Sequence, residues 1–244
     1  MNDWFTKDRS ETSSNRMPDR QYGNVTVLNP ALGINIYRGA YTPEQCAKFI
    51  QTLENKLDGS GPYKWQGAMV TNSAEADVSA RNALDFKFGS KDLGPRTPQN
   101  AELLDMHEEI FQSMYSCVSD YGRYWGVGMQ SFEAFNFVKY PGKGTHFKIH
   151  ADHGPTYVST VSIVIYLNDD YEGGEIYFPR MDGLKIKPKA GDIVVFPSIF
   201  IYEHASEDMI DGTKYAIVIM SDYNDRDNVN RRVPHVITEY ELKY

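Results

Sequence analysis

Two stretches of the chain repeat apolar residues with the period of a helix. Cys46, Phe49, Ile50, Leu53 and Leu57 fall on one face of a helix predicted near residues 42–58. In front of that face stand Thr42, Pro43 and Gln45: a capping hydroxyl, a proline at the first helical position and a glutamine three residues after the cap. A second helix is predicted over residues 97–121, opened by Thr97 and Pro98, with Leu103, Leu104, Ile110, Phe111, Met114 and Val118 as its buried stripe. Both read as scaffold helices, and a short strand is expected at Ile36 and Tyr37.

After about Ser131 the rhythm shortens to β-rich runs separated by Gly, Pro, Asn and Asp. Strands are predicted at Glu133 to Tyr140, His146 to Ala151, Thr160 to Leu167, Glu175 to Phe178, Leu184 to Lys187, Asp192 to Phe196, Ile201 to His204 and Lys214 to Asp222. Helices followed by a run of short antiparallel strands predict a mainly β fold, a double-stranded β-helix (jelly roll) supported by N-terminal α-helices. The expected organisation is a polar, flexible arm over 1–25, a single domain over 26–224 (helical support 35–125, jelly-roll core 130–224) and a C-terminal extension over 225–244. Residues 72–91 are read as a surface lid.

Composition narrows the class. The 244 residues are 41% hydrophobic and 24% charged, as in a globular domain. A net charge of -8 argues against a nucleic-acid partner, because phosphate binding needs clustered Lys and Arg. Two cysteines, Cys46 and Cys117, both on predicted helices, give no disulfide framework and fit a reducing compartment. No apolar run approaches a membrane span and the first residues carry no leader-like segment, so the expectation is a cytoplasmic protein with no membrane partner.

Candidate chemistry gathers late in the chain. In an extended strand, side chains two apart share a face, so His150 and Asp152 can approach one metal ion together. His204 closes a later strand of the same sandwich. Two imidazoles and one carboxylate on one face of an octahedron, with positions left open, suit non-haem Fe(II). Lys214 begins the last predicted strand, on the face it shares with Ala216, Val218 and Met220. If that face points inward, its ammonium requires an anion. The run Gly142, Lys143, Gly144, Thr145 lacks the spacing of a phosphate-binding loop and lies between strands.

The run Tyr140 to Asp152, Tyr166 to Asn168, Gly173 and Gly174, the turn Pro188 to Gly191, His204, and Gly212 to Tyr215 together resemble the prolyl 4-hydroxylase-like branch of the Fe(II)/2-oxoglutarate-dependent dioxygenases. The resemblance covers roughly residues 130–223, and Tyr140 to Asp152 resembles the oxygen-sensing prolyl hydroxylases in particular. It implies that His150, Asp152 and His204 are catalytic iron ligands. It implies further that Lys214, Tyr140 and Tyr166 bind 2-oxoglutarate, that O2 is the other co-substrate, and that ascorbate serves as reductant. The implied reaction hydroxylates a prolyl or similar residue of a protein or peptide, releasing succinate and CO2.

Departures from that pattern limit the substrate. Lys214 stands where the oxygen-sensing enzymes carry Arg, Met220 where the family tends to have Trp, and Ser159 where a substrate-contacting Arg falls. The alternatives are a hydroxylase of a free amino acid or other small molecule on the same iron site and, from another class, a non-catalytic metal-binding jelly-roll module. A nucleobase demethylase fits poorly, since Lys214 and the next basic residue, Arg226, do not form the paired arginines such enzymes carry after the distal histidine.

Overall fold

The computed structural model describes residues 17–69, 77–154, 158–223 and the backbone of 238–241. The chain opens with an antiparallel meander of β1 (Arg20–Tyr22), β2 (Val25–Ala31) and β3 (Ile34–Arg38). The part of the expected arm that is described is therefore partly strand, and residues 1–16 lie outside the described residues.

Helix α1 (Pro43–Lys56) starts as predicted. The Thr42 hydroxyl accepts from the Gln45 amide, and the Gln45 side chain accepts from the Thr42 amide, so two otherwise orphaned donors are satisfied reciprocally. Three short strands follow: β4 (Gln66–Gly67), β5 (Arg81–Asn82) and β6 (Leu84–Phe88). The expected lid over 72–91 is thus sheet across Arg81 to Phe88, while residues 70–76 lie outside the described residues. Helix α2 (Ala101–Trp125) begins later than predicted. Thr97 and Asn100 instead close a turn ahead of it, with Asn100 Oδ1 accepting from the Thr97 amide at 2.7 Å. The helix ends on Gly126, whose left-handed backbone suits a C-cap.

The remaining elements are β7 (Ser131–Glu133), β8 (Phe135–Pro141), β9 (His146–His150), β10 (Val161–Tyr166), β11 (Glu172–Gly173), β12 (Ile176–Phe178), β13 (Leu184–Ile186), β14 (Ile193–Pro197), β15 (His204–Ser206), β16 (Met209–Asp211), β17 (Thr213–Asp222) and β18 (Thr238–Glu241). The predicted strand at Ile201 to His204 is a correction: Phe200–Tyr202 form a 3-10 turn, and the strand starts only at His204. Phe200 and Ile201 are exposed, so their apolar character reflects no buried strand face.

The strands form two principal sheets. The larger runs β1-β2-β3-β14-β10-β17-β8-β6-β4, with β7 beside β17 and β18 on β7; the smaller runs β13-β12-β15-β9-β5, and β11 pairs with β16. Strand alternation divides the larger sheet between two cores. Ile163, Ile165, Ile217 and Ile219 pack with Phe49, Leu53, Ile110 and Met114 of the helices. The intervening Val164, Tyr166 and Ala216 meet Ile176 and Phe178 of the smaller sheet. Helices therefore cover one face, and the opposite face meets the second sheet of the jelly roll. Among the described residues no helix is long and apolar enough to cross a membrane.

Candidate functional site

Strands β9 and β15 are antiparallel with His150 directly opposite His204, and Asp152 lies two residues beyond β9. The strand does not extend to Asp152, so a bend after His150, rather than the strand alternation the sequence suggested, brings the carboxylate in. One ligand atom from each of the three residues falls within 4.8 Å of the others. His150 Nε2 is 3.4 Å from Asp152 Oδ1, and His204 Nε2 is 3.7 Å from Asp152 Oδ2.

The neighbours decide what each ligand presents. His150 Nδ1 lies 2.8 Å from the Lys148 carbonyl and His204 Nδ1 lies 3.2 Å from the Tyr202 carbonyl. A carbonyl can only accept, so each ring donates from Nδ1, which leaves Nε2 as the nitrogen turned inward. Phe147 stacks on His150 with ring centroids 3.6 Å apart, and Phe196 meets His204 edge to face at 4.8 Å. Burial holds the His204 imidazole neutral, pushing its pKa down to about 4 against the pull of Asp152. Burial alone would raise Asp152, but the two imidazoles and the Ser162 hydroxyl, which donates at 2.6 Å, outweigh it and keep the carboxyl ionised. Two imidazoles, each held by Nδ1 on a backbone carbonyl, and an ionised carboxylate fit a divalent cation well.

Lys214 lies on β17 opposite Tyr140 of β8 and is 2% exposed. Its Nζ donates to the Gly174 carbonyl at 2.8 Å and to the Ser206 hydroxyl, and sits 4.2 Å from the centre of the Tyr140 ring. Among the described residues no carboxylate forms an ion pair with it. Burial pushes its pKa down to about 7, Glu175 countering and Lys187 adding to the effect. A buried ammonium without an anion is a receptor for one. Tyr140 and Tyr166 are also buried, and burial raises both phenols, so they stay protonated donors at neutral pH.

A single cavity of about 560 Å³ joins these groups: His150, Asp152, His204, Lys214, Tyr140 and Tyr166 all line it. All six candidate residues read from the sequence thus converge. Val164, Ala216, Val218 and Met220 supply apolar wall between them, as the predicted inward face of the last strand requires.

Other lining residues carried no local signal in the sequence. Ser206 holds Lys214, and Arg81, Asp85, Lys87, Glu133 and Asn136 bring further polar groups to the cavity. Arg81 and Asp85 enter through strands β5 and β6, whose pairing with β9 and β8 is not visible in the local pattern. Ser162 could have been found, since alternation from Val164 and Tyr166 puts it on the same face. Ser159 is fully buried, bonded to the Ser198 hydroxyl at 2.9 Å, and does not line the cavity.

Residues 135–220 match the family model of the 2OG-Fe(II) oxygenase superfamily, within the span where the resemblance was read. No curated protein matches the chain. Among solved structures it is similar to a prolyl hydroxylase from Trichoplax adhaerens in complex with a hypoxia inducible factor oxygen degradation domain peptide fragment, at 17% identity and a TM-score of 0.63, covering 82% of this chain and 88% of that one. It is also similar to a prolyl-4-hydroxylase from Pseudomonas putida, at 19% identity and a TM-score of 0.57, covering 78% and 92%. A third is a viral collagen prolyl hydroxylase from Paramecium bursaria Chlorella virus-1 in its 2OG complex, at 16% identity and a TM-score of 0.52, covering 78% and 94%. At these identities the structural likeness is one of fold, that of the prolyl hydroxylase jelly roll. The family match supports a dioxygenase and implies Fe(II) and 2-oxoglutarate.

Proposed function

We propose that this chain hydroxylates an aliphatic carbon of a prolyl or similar amino-acid unit, with His150, Asp152 and His204 holding Fe(II) and Lys214, Tyr140 and Tyr166 holding 2-oxoglutarate. One observation carries the reading: two inward Nε2 atoms and an ionised carboxylate share a cavity with a buried lysine that forms no ion pair among the described residues. The reaction balances as substrate C–H, O2 and 2-oxoglutarate giving substrate C–OH, succinate and CO2, one oxygen atom entering the alcohol and the other the new succinate carboxylate. Bound Fe(II) supplies the activation of oxygen.

The protein's own groups hold and orient. The Lys148 and Tyr202 carbonyls fix the ring planes of the two histidines, and Ser162 fixes one oxygen of Asp152. Lys214 and the Tyr140 hydroxyl offer donors to the distal carboxylate of the keto-diacid. Ser206 keeps Lys214 directed at that end, and Val164, Ala216 and Val218 exclude water between the carboxylate pocket and the metal ligands. A non-catalytic metal-binding module would give the buried Lys214 no purpose.

The peptide fragment in the Trichoplax adhaerens complex favours a residue presented within a peptide. A second presentation, as a free amino acid, is favoured by the charged side chains lining the cavity. The reaction is tested by anaerobic titration of the protein with Fe(II) and 2-oxoglutarate. A charge-transfer absorption band is expected, followed by succinate on admitting oxygen; neither band nor succinate would overturn the proposal.

A further inference from the structure

The cavity carries a second polar region that neither the metal ligands nor the Lys214 pocket uses. On the inner face of the larger sheet Asp85 and Lys87 are two apart on β6, and Lys87 is paired across β8 with Asn136. Glu133, at the end of β7, stands 3.3 Å from Lys87 Nζ, and Arg81 of β5 stands 3.4 Å from Asp85. All five line the cavity that holds the metal ligands. Asn136 and Tyr140 are four residues apart on β8, so this row lies roughly 13 Å along the strand from the Tyr140 and Lys214 end.

These groups are not fully satisfied by one another. Both ion pairs are longer than good charge-assisted bonds, which run about 2.7–2.9 Å. Neither pair adds much stability of its own, Arg81–Asp85 because both groups are desolvated and Lys87–Glu133 because Lys87 is exposed, so two of them in a cavity wall call for another reason. Arg81 is 8% exposed and its buried Nε has no hydrogen-bond partner among the described residues; neither has Asn136 Oδ1. The first is an unpaired donor and the second an unpaired acceptor, both closed to solvent. The guanidinium also lies 4.9 Å over the Phe147 ring, which stacks on His150, so this region adjoins the metal ligands directly.

We propose that Arg81, Asp85, Lys87, Glu133 and Asn136 form a zwitterion-binding subsite, and that the substrate is a free α-amino acid held by both its carboxylate and its ammonium group. Arg81, backed by Lys87, receives the carboxylate. Asp85, hydrogen-bonded to Asn136, receives the ammonium together with Glu133. The amino acid's aliphatic carbons then face the metal ligands past Val218 and Met220. Opposite charges set side by side reject a singly charged or uncharged ligand, because part of the cluster would be left without a partner. The inference rests on the dioxygenase reading and chooses between its two presentations of the substrate.

The test supplies the full chain, with Fe(II), 2-oxoglutarate and oxygen, with free L-amino acids beginning with proline. The same compounds follow as N-acetyl and C-amide derivatives, and then a peptide with an internal proline. Succinate and oxygenated product are measured by mass spectrometry. A free amino acid is expected to gain one oxygen atom and to accelerate succinate formation, while its blocked forms and the peptide do not. Arg81→Gln and Glu133→Gln are expected to raise KM for the amino acid at least about tenfold more than KM for 2-oxoglutarate. Arg81→Lys keeps the charge and loses the planar fork, and its smaller rise separates recognition from misfolding. Turnover of the internal-proline peptide with free amino acids inert overturns the proposal, as do variants that shift both KM values equally. Substrate-independent succinate with every compound inert overturns it while leaving the dioxygenase reading intact. No succinate under any condition overturns that reading and the subsite with it.

Discussion

Near neutrality a Lys214 pKa of about 7 leaves roughly half of the empty pockets without a charge to offer an anion. The sign of the consequence follows from which form binds. The distal carboxylate of 2-oxoglutarate favours the ammonium and raises its pKa in the complex. Affinity should therefore be flat below pH 7 and fall about tenfold per pH unit above it, until the pKa of the complex is reached. Titrating the charge-transfer band from about pH 6 to about pH 9 measures this, and an affinity independent of pH would count against the Lys214 assignment. Lys214→Arg keeps its charge throughout and should remove the dependence, whereas Lys214→Ala should weaken 2-oxoglutarate at every pH by at least about tenfold. His150→Ala or His204→Ala should abolish the band itself, since each removes one of the three proposed iron ligands. His150, Asp152, His204 and Lys214 were legible because each sits in a short local pattern, a pair two apart, a strand end or a cation opening a strand, whereas Tyr140 and Tyr166 came only with the family resemblance. Arg81 was not legible, because it reaches the cavity only by the pairing of β5 with β9, opposite Phe147.

Elements were legible in proportion to how local their causes are. The capping box of α1 is a four-residue interaction, and Thr42→Ala should cost about 1 kcal/mol in urea unfolding. Gly191 is more demanding. Its φ is +85°, and a Cβ there would come within 2.0 Å of the Tyr41 carbonyl, so Gly191→Ala should cost on the order of 3 kcal/mol in the same measurement. An unchanged midpoint would show that the turn relaxes freely. The shared face of Lys214, Ala216 and Val218 on β17 came from period-two patterning, whereas all six residues of β10 are buried and leave no alternation to read. Strand β6 escaped because its Asp85 and Lys87 look solvent-directed in isolation, yet they line a cavity. The apolar run at Phe200 and Ile201 misled in the opposite direction: its residues are exposed on a 3-10 turn, held by the Tyr202 hydroxyl donating to the Leu32 carbonyl. The offset start of α2 has the same origin, a turn closed by Asn100 where Thr97 and Pro98 offered an equally good helix start.

At the scale of the whole molecule, the helices must stay on the larger sheet for the cavity on its other face to keep its shape. His107 of α2 is placed at that junction, 1% exposed, with its ring stacked 4.2 Å from Phe135 of β8 and 5.5 Å from Phe88 of β6. Burial pushes its pKa down to about 4, against an ordinary value near 6.5. Between those values the unfolded chain binds a proton that the native protein does not. Stability is therefore full above about pH 6.5 and declines as pH falls toward about 4, by about 1–3 kcal/mol for this group. His204 shifts in the same direction, so the wild-type decline is a sum of at least two contributions. The contribution of His107 is read by difference. His107→Phe keeps an aromatic ring against Phe135 and removes the titration, so its urea midpoint should fall less steeply than that of the wild type across this window. Equal slopes for the two proteins would place the acid sensitivity elsewhere, and would leave the helix–sheet junction indifferent to protonation.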